Sequence, residues 1–346
     1  MSDSPKEGYG RGMETFHSII GHRRVIDYLQ ESIRAGRVSH AYILDGPDGI
    51  GKMMTARVFA ATLLCREGGE EPCGTCISCM QMDGGNQPDV AYVTHEKTVI
   101  TVGDIREQLC NVVPVKPMVG PYRIFIVDEA EKMNEEAQNA LLKTLEEPPS
   151  YAVIILLTTN ANELLPTIRS RSVELPMLPV PEKELTEWLM AREQLPDYRA
   201  RMLAVYSGGC PGVATACARS EEFQSQRDTV VSMLKAVPSM REDRMAEFAR
   251  DFAKDKDKQE TELGLILVWI RDLLMYKAVG EKAGLMFVEE SDAIRDQSDD
   301  ISYDALWQTQ EEIARIRADR AVNVNMETAF WLFLLRWQER FGGGNG

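Results

Sequence analysis

Hydrophobic residues in the first half of the chain follow two alternating patterns. Short apolar runs lie at residues 41–44, 123–127 and 152–158, and segments with a helical period lie between them. A short apolar run predicts a buried strand, and a strand that is apolar on both faces is typical of a parallel sheet covered by helices. The alternation therefore predicts an α/β domain built on a parallel sheet.

The segment from Asn134 to Pro149 carries the clearest helix signals. Asn134 is a favourable N-cap, acidic residues fill the first turn, and a pair of prolines ends the helix. Two earlier helices are predicted, one through Val25, Leu29 and Ile33 and one from about Met53 to Leu64.

The alternation stops past Pro176, where prolines mark a linker and only helical patterns follow. Three short helices are predicted at 182–192, 197–206 and about 212–219, and an all-helical region from about 222. The most aromatic helix is predicted at 326–341. One of its stripes, which we expect to be core rather than interface, contains Phe330, Phe333, Leu334, Trp337 and Phe341.

Residues 46–53 read Gly-Pro-Asp-Gly-Ile-Gly-Lys-Met and match a phosphate-binding loop at every position except the last. The pattern requires Gly, four free residues, Gly, Lys and then Ser or Thr. Gly46, Gly51 and Lys52 are in place, with Gly49 between them. Met53 replaces the hydroxyl that would hold Mg²⁺. Because the loop lies between a predicted strand and a predicted helix, we expect a nucleotide-binding fold that has lost a metal ligand.

Polar groups follow two further predicted strands. Asp128 and Glu129 come directly after the strand at 123–127, and Asn160 comes soon after the strand at 152–158. In phosphate-loop enzymes the first acid at such a strand end helps to hold Mg²⁺, and a second acid can orient or deprotonate the attacking water. Ligands of parallel sheets bind at the carboxyl ends of the strands, so these side chains are candidates for the nucleotide site.

Four clustered cysteines, Cys65, Cys73, Cys76 and Cys79, have the spacing C-x₇-C-x₂-C-x₂-C. Four thiolates on a short segment match a closed tetrahedral Zn²⁺ site, which is structural because no ligand position stays open. An iron–sulfur run would need a cysteine where Asp83 stands. The remaining cysteines are predicted to be small core residues: Cys110, Cys210 and Cys217.

Composition narrows the class of protein further. At 346 residues the chain should hold two or three domains, and its net charge of −15 argues against a protein that coats nucleic acid by itself. No apolar run approaches the ~20 residues of a membrane span, and the polar N-terminus lacks the apolar centre of a secretory signal. An odd number of clustered cysteines in such a chain favours the reducing cytoplasm.

Five segments together resemble the bacterial replicative clamp loader, a branch of the AAA+ ATPases. The most specific segment is 139–149, Asn-Ala-Leu-Leu-Lys-Thr-Leu-Glu-Glu-Pro-Pro, and the others are 46–52, 126–129, 157–160 and 168–172. The resemblance covers roughly residues 16–180 well. Pentameric assemblies of that family open a sliding clamp and place it on primed DNA. Bacterial subunits resemble this chain in carrying a four-cysteine zinc module after the loop helix.

The resemblance implies an AAA+ domain with an inserted zinc module, a small helical lid and an all-α collar through which subunits assemble. Active loader ATPases carry a nucleotide-sensing arginine in the lid, whereas residues 207–213 here contain Pro211 and no arginine. The segments expected are a disordered lead-in at 1–14, the AAA+ nucleotide-binding-like domain at 15–178 with its zinc module at 65–79, a three-helix lid at 179–221, the collar at 222–341 and a disordered tail at 342–346.

The triplet Ser170-Arg171-Ser172 matches the Ser-Arg-Cys triplet of the family in its first two positions. In the family that arginine lies at a subunit boundary and reaches the γ-phosphate held by the neighbour. The resemblance therefore implies that Arg171 is an arginine finger acting in trans. Arg169 is the residue most easily confused with it.

Two functions stay open at this point. One is a gamma/tau-like motor subunit that hydrolyses ATP, which the retained Lys52, Asp128 and Glu129 favour. The other is a stator subunit that has the AAA+ shape, does not hydrolyse ATP itself and lends Arg171 to an adjacent motor. Met53 and the lid without an arginine favour the stator. Binding of ATP or ADP without hydrolysis stays open in either case.

The implied partners are the gamma/tau motor subunits and delta in a hetero-pentamer. Through that complex the chain would act on the sliding clamp and on primer–template DNA as part of the DNA polymerase III holoenzyme. Nothing in the sequence resembles a polymerase active site.

Thr55, two positions beyond Met53, could replace the lost hydroxyl only from a different side of the helix, about 200° away.

Overall fold

A computed structural model of the protein describes residues 13–95, 98–320 and 324–341. The expected disordered tail and the first twelve residues of the expected lead-in lie outside the described residues. Backbone contacts divide the chain into two compact units. The first contains the chain up to Val180 together with Cys210–Gly212, and the second contains Pro181–Gly209 and the chain from Val213. The finer boundary between lid and collar stays a prediction.

The first unit alternates strands and helices, as the sequence predicts. Its strands in the described ranges are β1 Ala41–Asp45, β2 Val90–Val93, β3 Arg123–Val127, β4 Ala152–Thr158 and β5 Val173–Pro176. Its helices there are α1 Arg23–Arg34, α2 Lys52–Leu64, α3 Ile77–Asp83, α4 Val102–Ile105, α5 Glu135–Glu146 and α6 Pro166–Arg169.

These strands form one parallel sheet in the order β2-β3-β4-β1-β5. The central strands are the apolar runs of the sequence, and every residue of β4 is buried. The predicted strands at 41–44, 123–127 and 152–158 are confirmed, the first with one extra residue. The parallel sheet and its helices confirm the α/β class predicted for this part of the chain.

Helix α5 shows how local sequence fixes an element of this unit. The Asn134 side chain accepts a hydrogen bond from the backbone N–H of Ala137 at 2.8 Å, which confirms the predicted N-cap. One face buries Ala137, Leu141 and Leu145 in the hydrophobic core. The helix ends at Glu146, shortly before the proline pair. The side chain of Glu146, the last residue of α5, is exposed.

The loop at residues 114–121, before β3, is held by one buried carboxylate. Asp89 is fully buried and accepts hydrogen bonds from the backbone N–H groups of Met118, Val119 and Gly120, at 2.5, 2.7 and 2.8 Å. Charge-assisted bonds of this kind replace the lost hydration of a buried acid. Asp89 therefore fixes the conformation of a loop that has no regular secondary structure.

The second unit is helical throughout its described residues. Its helices are α7 Glu182–Glu193, α8 Asp197–Tyr206, α9 Pro211–Arg219 (which begins in the first unit), α10 Glu221–Ala236, α11 Glu242–Lys254, α12 Lys256–Val279, α13 Ser291–Asp300, α14 Tyr303–Asp319 and α15 Met326–Phe341. The three short helices predicted after the linker are confirmed to within one residue. Across the described residues, no helix combines the length and apolarity needed to cross a bilayer.

The aromatic stripe of α15 is core, as expected. Phe330 stacks on Phe252 of α11 with ring centroids 3.9 Å apart, while Phe341 at the helix end is half-buried. The other residues of the stripe are each no more than 2% exposed: Phe330, Phe333, Leu334 and Trp337. The stripe therefore holds the second unit together from within.

Helices α8 and α12 approach closely because residue 264 is a glycine. A Cβ atom at Gly264 would lie 2.8 Å from Cε2 of Tyr206, which is too close for any other residue without a shift of the ring. The Tyr206 ring also packs edge-to-face on Phe223, with centroids 5.0 Å apart. These contacts join the predicted lid to the predicted collar within one unit.

Replacing Asp89 by Ala should lower the free energy of unfolding by about 2–4 kcal/mol, because three backbone N–H groups lose a charged acceptor. Urea denaturation followed by circular dichroism measures this loss. Asp83→Ala, at an exposed acid on the end of α3, is the matched control and should be nearly neutral. A loss at Asp89→Ala below about 1 kcal/mol would contradict the anchoring role.

Candidate functional site

The predicted nucleotide-site residues meet at one edge of the sheet. Because β1, β3 and β4 are parallel neighbours, their carboxyl ends lie side by side. Gly46 follows β1, Asp128 follows β3, and Asn160 comes soon after β4. The Gly46 N–H donates to the carbonyl of Thr158 at 3.0 Å. The grouping expected from the sequence is therefore present.

The backbone of the phosphate loop needs its glycines. Gly49 and Gly51 have φ angles of +72° and +111°, in the left-handed region that glycine favours. A Cβ atom at Gly46 would lie 2.4 Å from the carbonyl oxygen of Met177. The loop then feeds directly into α2 at Lys52. This strand–loop–helix geometry is that of a phosphate cradle.

Oxygens of the loop itself hold the loop lysine. The ammonium of Lys52 donates to the carbonyls of Gly46 at 2.6 Å and Pro47 at 3.1 Å, and lies 3.5 Å from the carboxylate of Asp48. Lys52 is only 8% exposed. A phosphate would have to displace these oxygens before it could bind the ammonium.

The hydroxyl missing at Met53 is not supplied from nearby. Thr55 is fully buried, and its Oγ1 donates to the carbonyl of Gly51 at 3.0 Å. That hydroxyl is part of the internal bonding of α2. The alternative in which Thr55 takes over the metal ligand is therefore unsupported by the geometry.

Residues 210–212, predicted in the lid, belong to the first unit and pack on the phosphate loop. The N–H of Gly212 donates to the carbonyl of Gly49 at 2.8 Å, and a Cβ atom at position 212 would lie 2.9 Å from that oxygen. Cys210 is buried, as predicted, and burial raises the pKa of its thiol. Backbone atoms of Gly212 thus contact the loop. By the resemblance, active ATPases carry an arginine in this segment.

The second strand-end acid, Glu129, is held by a lysine and a histidine of its own unit. Its carboxylate lies 2.6 Å from the ammonium of Lys132 and 3.1 Å from Nε2 of His95. The hydrogen bond from Lys132 is the main reason why the pKa of Glu129 is lowered. A carboxylate with a lowered pKa that is engaged by two side chains is a poor base for activating water.

The other two strand-end residues are also engaged locally. Asp128 accepts a hydrogen bond from the backbone N–H of Glu129 at 3.0 Å, and partial burial of its carboxylate raises its pKa. The Asn160 side chain accepts from the N–H of Asn162 at 3.1 Å and donates to Glu163 at 3.2 Å. Asn160 therefore caps the short helical turn that follows β4.

The four predicted zinc ligands form a cluster. The sulfur atoms of Cys65, Cys73, Cys76 and Cys79 all lie within 4.8 Å of one another, and those of Cys73 and Cys79 are 3.9 Å apart. A tetrahedral zinc site with bonds of about 2.3 Å has sulfurs about 3.8 Å apart. The donor set and its spacing therefore fit one Zn²⁺ ion.

Backbone N–H groups of the cysteine module point at three of these sulfurs. The N–H groups of Cys73, Cys76 and Cys79 contact the sulfurs of Cys65, Cys73 and Cys76 at 3.4, 3.3 and 3.5 Å. The N–H of Cys76 is the largest cause that lowers the pKa of Cys73 to about 6. Burial has the opposite effect on Cys79, whose pKa is raised.

Two acids tie the cysteine module to α1, which the sequence did not reveal. Glu70 forms a two-pronged ion pair with Arg34, with N–O distances of 2.5 and 2.6 Å. Glu71 accepts from Gln30 at 3.0 Å and from the backbone N–H of Phe16 at 2.8 Å. The module is thus part of the first unit.

Arg171 is half-exposed and bound to acceptors of its own unit. Its Nη2 lies 3.0 Å from Oε1 of Glu146, and its Nη1 donates to the carbonyl of Thr167 at 3.1 Å. Arg169 differs, because it pairs with Glu174 on β5 and donates to Asn162. The two arginines of the motif therefore have separate partners.

Sheet polarity separates Arg171 from the phosphate loop of its own chain. Arg171 precedes β5, whereas the loop follows β1, and β5 pairs in parallel with β1 from Val173 opposite Tyr42 to Pro176 opposite Asp45. At about 3.3 Å per residue, the start of β5 and the loop lie roughly 13 Å apart along the strands. Arg171 is thus at the amino end of the sheet and the loop at its carboxyl end.

Comparison with known proteins shows the family. A family described as "DNA polymerase III, delta subunit" matches residues 21–181. The DNA polymerase III subunit delta' of Bacillus subtilis is 30% identical over 327 residues, which cover 91% of this chain and 96% of that protein. The tau/gamma subunit of Haemophilus influenzae is 35% identical over 187 residues, which cover 53% of this chain and 27% of that protein.

A solved structure from Thermotoga maritima, described as a DNA polymerase III gamma subunit-related protein, is 20% identical. The similarity covers 91% of this chain and 99% of that one, at a TM-score of 0.42 that is too low to support an argument. The similarity to delta' extends along nearly the whole chain, whereas that to tau/gamma covers about half of it. The chain belongs to the delta' family of DNA polymerase III clamp-loader subunits.

Proposed function

We propose that this chain is the stator of the clamp loader. It keeps the AAA+ shape, does not hydrolyse ATP, and supplies Arg171 in trans to the ATP site of an adjacent motor subunit. The observation that carries the proposal is the position of Arg171 at the end of the sheet opposite its own phosphate loop. An arginine in that position serves a phosphate only if a neighbouring chain brings the phosphate to it.

The chemistry of the side chain suits this role. A guanidinium stays charged at all working pH values and has five N–H donors, of which the contacts of Arg171 within its own unit use at most three. An arginine supplied in trans stabilises the charge that develops during phosphoryl transfer and is worth about 10³–10⁵ in rate. Arg171 is half-exposed, so a partner's phosphate can reach it.

Several features of the loop edge argue against hydrolysis by this chain. Met53 offers no oxygen to Mg²⁺, and Lys52 is bound to loop carbonyls. Glu129 is paired with Lys132 and His95. Each feature removes a different part of the phosphoryl-transfer machinery: the metal ligand, the free cation and the base.

The second candidate is an ATP-hydrolysing motor subunit of the gamma/tau kind. It is favoured by the retained lysine and acids and by the 35% identity to a tau/gamma subunit. Those residues are present, but Lys52 is held by carbonyl oxygens of its own loop and Glu129 is held by Lys132 and His95. The stator therefore accounts for more of the geometry.

We propose that the gamma/tau motor subunits and delta are the partners of the chain in a cytoplasmic hetero-pentamer, and that it reaches the sliding clamp and primer–template DNA through this complex. We further propose that Cys65, Cys73, Cys76 and Cys79 hold one structural Zn²⁺. Four thiolates leave no coordination position open, so the ion would stabilise the segment between α2 and α3 rather than take part in a reaction.

In a reconstituted complex in which only the motor next to this chain can hydrolyse ATP, Arg171→Ala should lower the DNA-dependent ATPase by at least about 10²-fold, because that motor loses its trans charge. Steady-state hydrolysis with matched amounts of assembled complex gives the rate. Arg169→Ala is the control, because Arg169 is the neighbouring arginine of the motif and has different partners, Glu174 and Asn162, and it should have a much smaller effect. An unchanged rate in Arg171→Ala would refute the finger.

Met53→Thr should not restore hydrolysis to the isolated chain. The variant regains a hydroxyl, yet Lys52 and Glu129 keep their internal partners. Release of phosphate by the purified chain and by the variant should both stay at background. Clear turnover by the wild-type chain would refute the stator, and turnover by the variant alone would show that Met53 is the only defect.

Elemental analysis of the purified chain should find about one zinc per molecule. Cys73→Ala should lower the zinc content towards zero and reduce thermal stability, because three thiolates hold the ion poorly. Cys217→Ala, which alters a half-buried cysteine outside the cluster, should leave the zinc content unchanged. A fully folded wild-type protein without zinc at neutral pH would contradict the site.

A further inference from the structure

The guanidinium of Arg171 is held by two different segments of the first unit. Glu146, the last residue of α5, contributes a carboxylate oxygen 3.0 Å from Nη2. Thr167, in α6, contributes its backbone carbonyl 3.1 Å from Nη1. A long side chain that would otherwise sample many rotamers is therefore held in one orientation before any partner is bound.

This ion pair is poorly placed to stabilise the fold. The Arg171 side chain is 36% exposed and that of Glu146 is 52% exposed, and exposed pairs contribute little to folding. An acid at the carboxyl end of a helix is also disfavoured by the helix dipole. Stability alone does not account for a glutamate at this position.

We propose that Glu146 is a positioning residue for Arg171, an inference that rests on the proposed function. Its carboxylate, the Thr167 carbonyl and the Ser170 hydroxyl oxygen, 3.5 Å from Nη1, occupy at most three of the five N–H donors and leave at least two for the phosphate of the neighbouring subunit. The entropy lost in orienting the guanidinium is thereby lost before the motor site assembles, and not during the reaction. The half-exposed carboxylate is screened by solvent, so it only partly offsets the charge of the arginine.

The adjacent Glu147 provides an internal comparison. It is exposed like Glu146, and its carboxylate forms no ion pair with any residue in the part of the chain that the structure describes. The two acids therefore differ in their relation to Arg171 rather than in type or exposure. A substitution at Glu147 controls for the loss of one surface charge at the end of α5.

The test uses the full chain reconstituted with delta and with motor subunits of which only the one adjacent to this chain can hydrolyse ATP. Glu146→Ala should lower kcat of the DNA-dependent ATPase about tenfold, with the KM for ATP, the assembly of the complex and the thermal midpoint of the chain unchanged. Glu146→Gln keeps an acceptor and should retain an intermediate rate, and it replaces the Ala variant if that variant does not fold. Glu147→Ala should match the wild type.

A double substitution separates positioning from other roles. In an Arg171→Ala background, Glu146→Ala should cause no further loss, because Glu146 acts only through the arginine. An equal loss in both backgrounds, or a rate in Glu146→Ala at or above that of the wild type, would overturn the inference while leaving the finger intact. A wild-type rate in Arg171→Ala itself would overturn the finger and the positioning role together.

Discussion

The parallel direction of the sheet is the constraint on which the account depends. Parallel strands place all their carboxyl ends at one edge and all their amino ends at the other. The phosphate loop, Asp128 and Asn160 follow strands, and Arg171 precedes one. The protein therefore has two chemically distinct edges, and no side-chain rearrangement can bring the arginine to its own loop. Under the proposed function, this arginine serves the ATP site of a neighbouring subunit.

The carboxyl edge keeps the shape of a nucleotide site while its charges are satisfied internally. The ammonium of Lys52 donates to a carbonyl oxygen of its own loop, whereas in a working site it would bind phosphate. The N–H of Gly212, in the segment at 210–212, donates to the same loop. The carboxylate of Glu129 is held by Lys132 and His95. The lost hydroxyl at Met53 is thus one of several departures that act in the same direction. This is what the proposed stator, which does not hydrolyse ATP, would require of the edge.

The sequence predicted what depends on local pattern. Strands β1, β3 and β4 are apolar on both faces and were recognised, whereas β2 and β5 are the edge strands and present half-exposed residues with no clear pattern. The cysteine spacing predicted the cluster because short loops bring its members together. The partners of charged residues could not be predicted. Contacts such as Glu129 with His95, or Arg171 with Glu146, join residues 34 and 25 positions apart and depend on the folded sheet.

The most direct test of the central claim is a complex with a single active site. In such a complex only the motor subunit adjacent to this chain keeps the strand-end acid that it needs for hydrolysis. Single-turnover hydrolysis then reports that one site. The account predicts that Arg171→Ala in this chain abolishes the reaction, with nucleotide binding to the motor retained. Hydrolysis at the wild-type rate would contradict it.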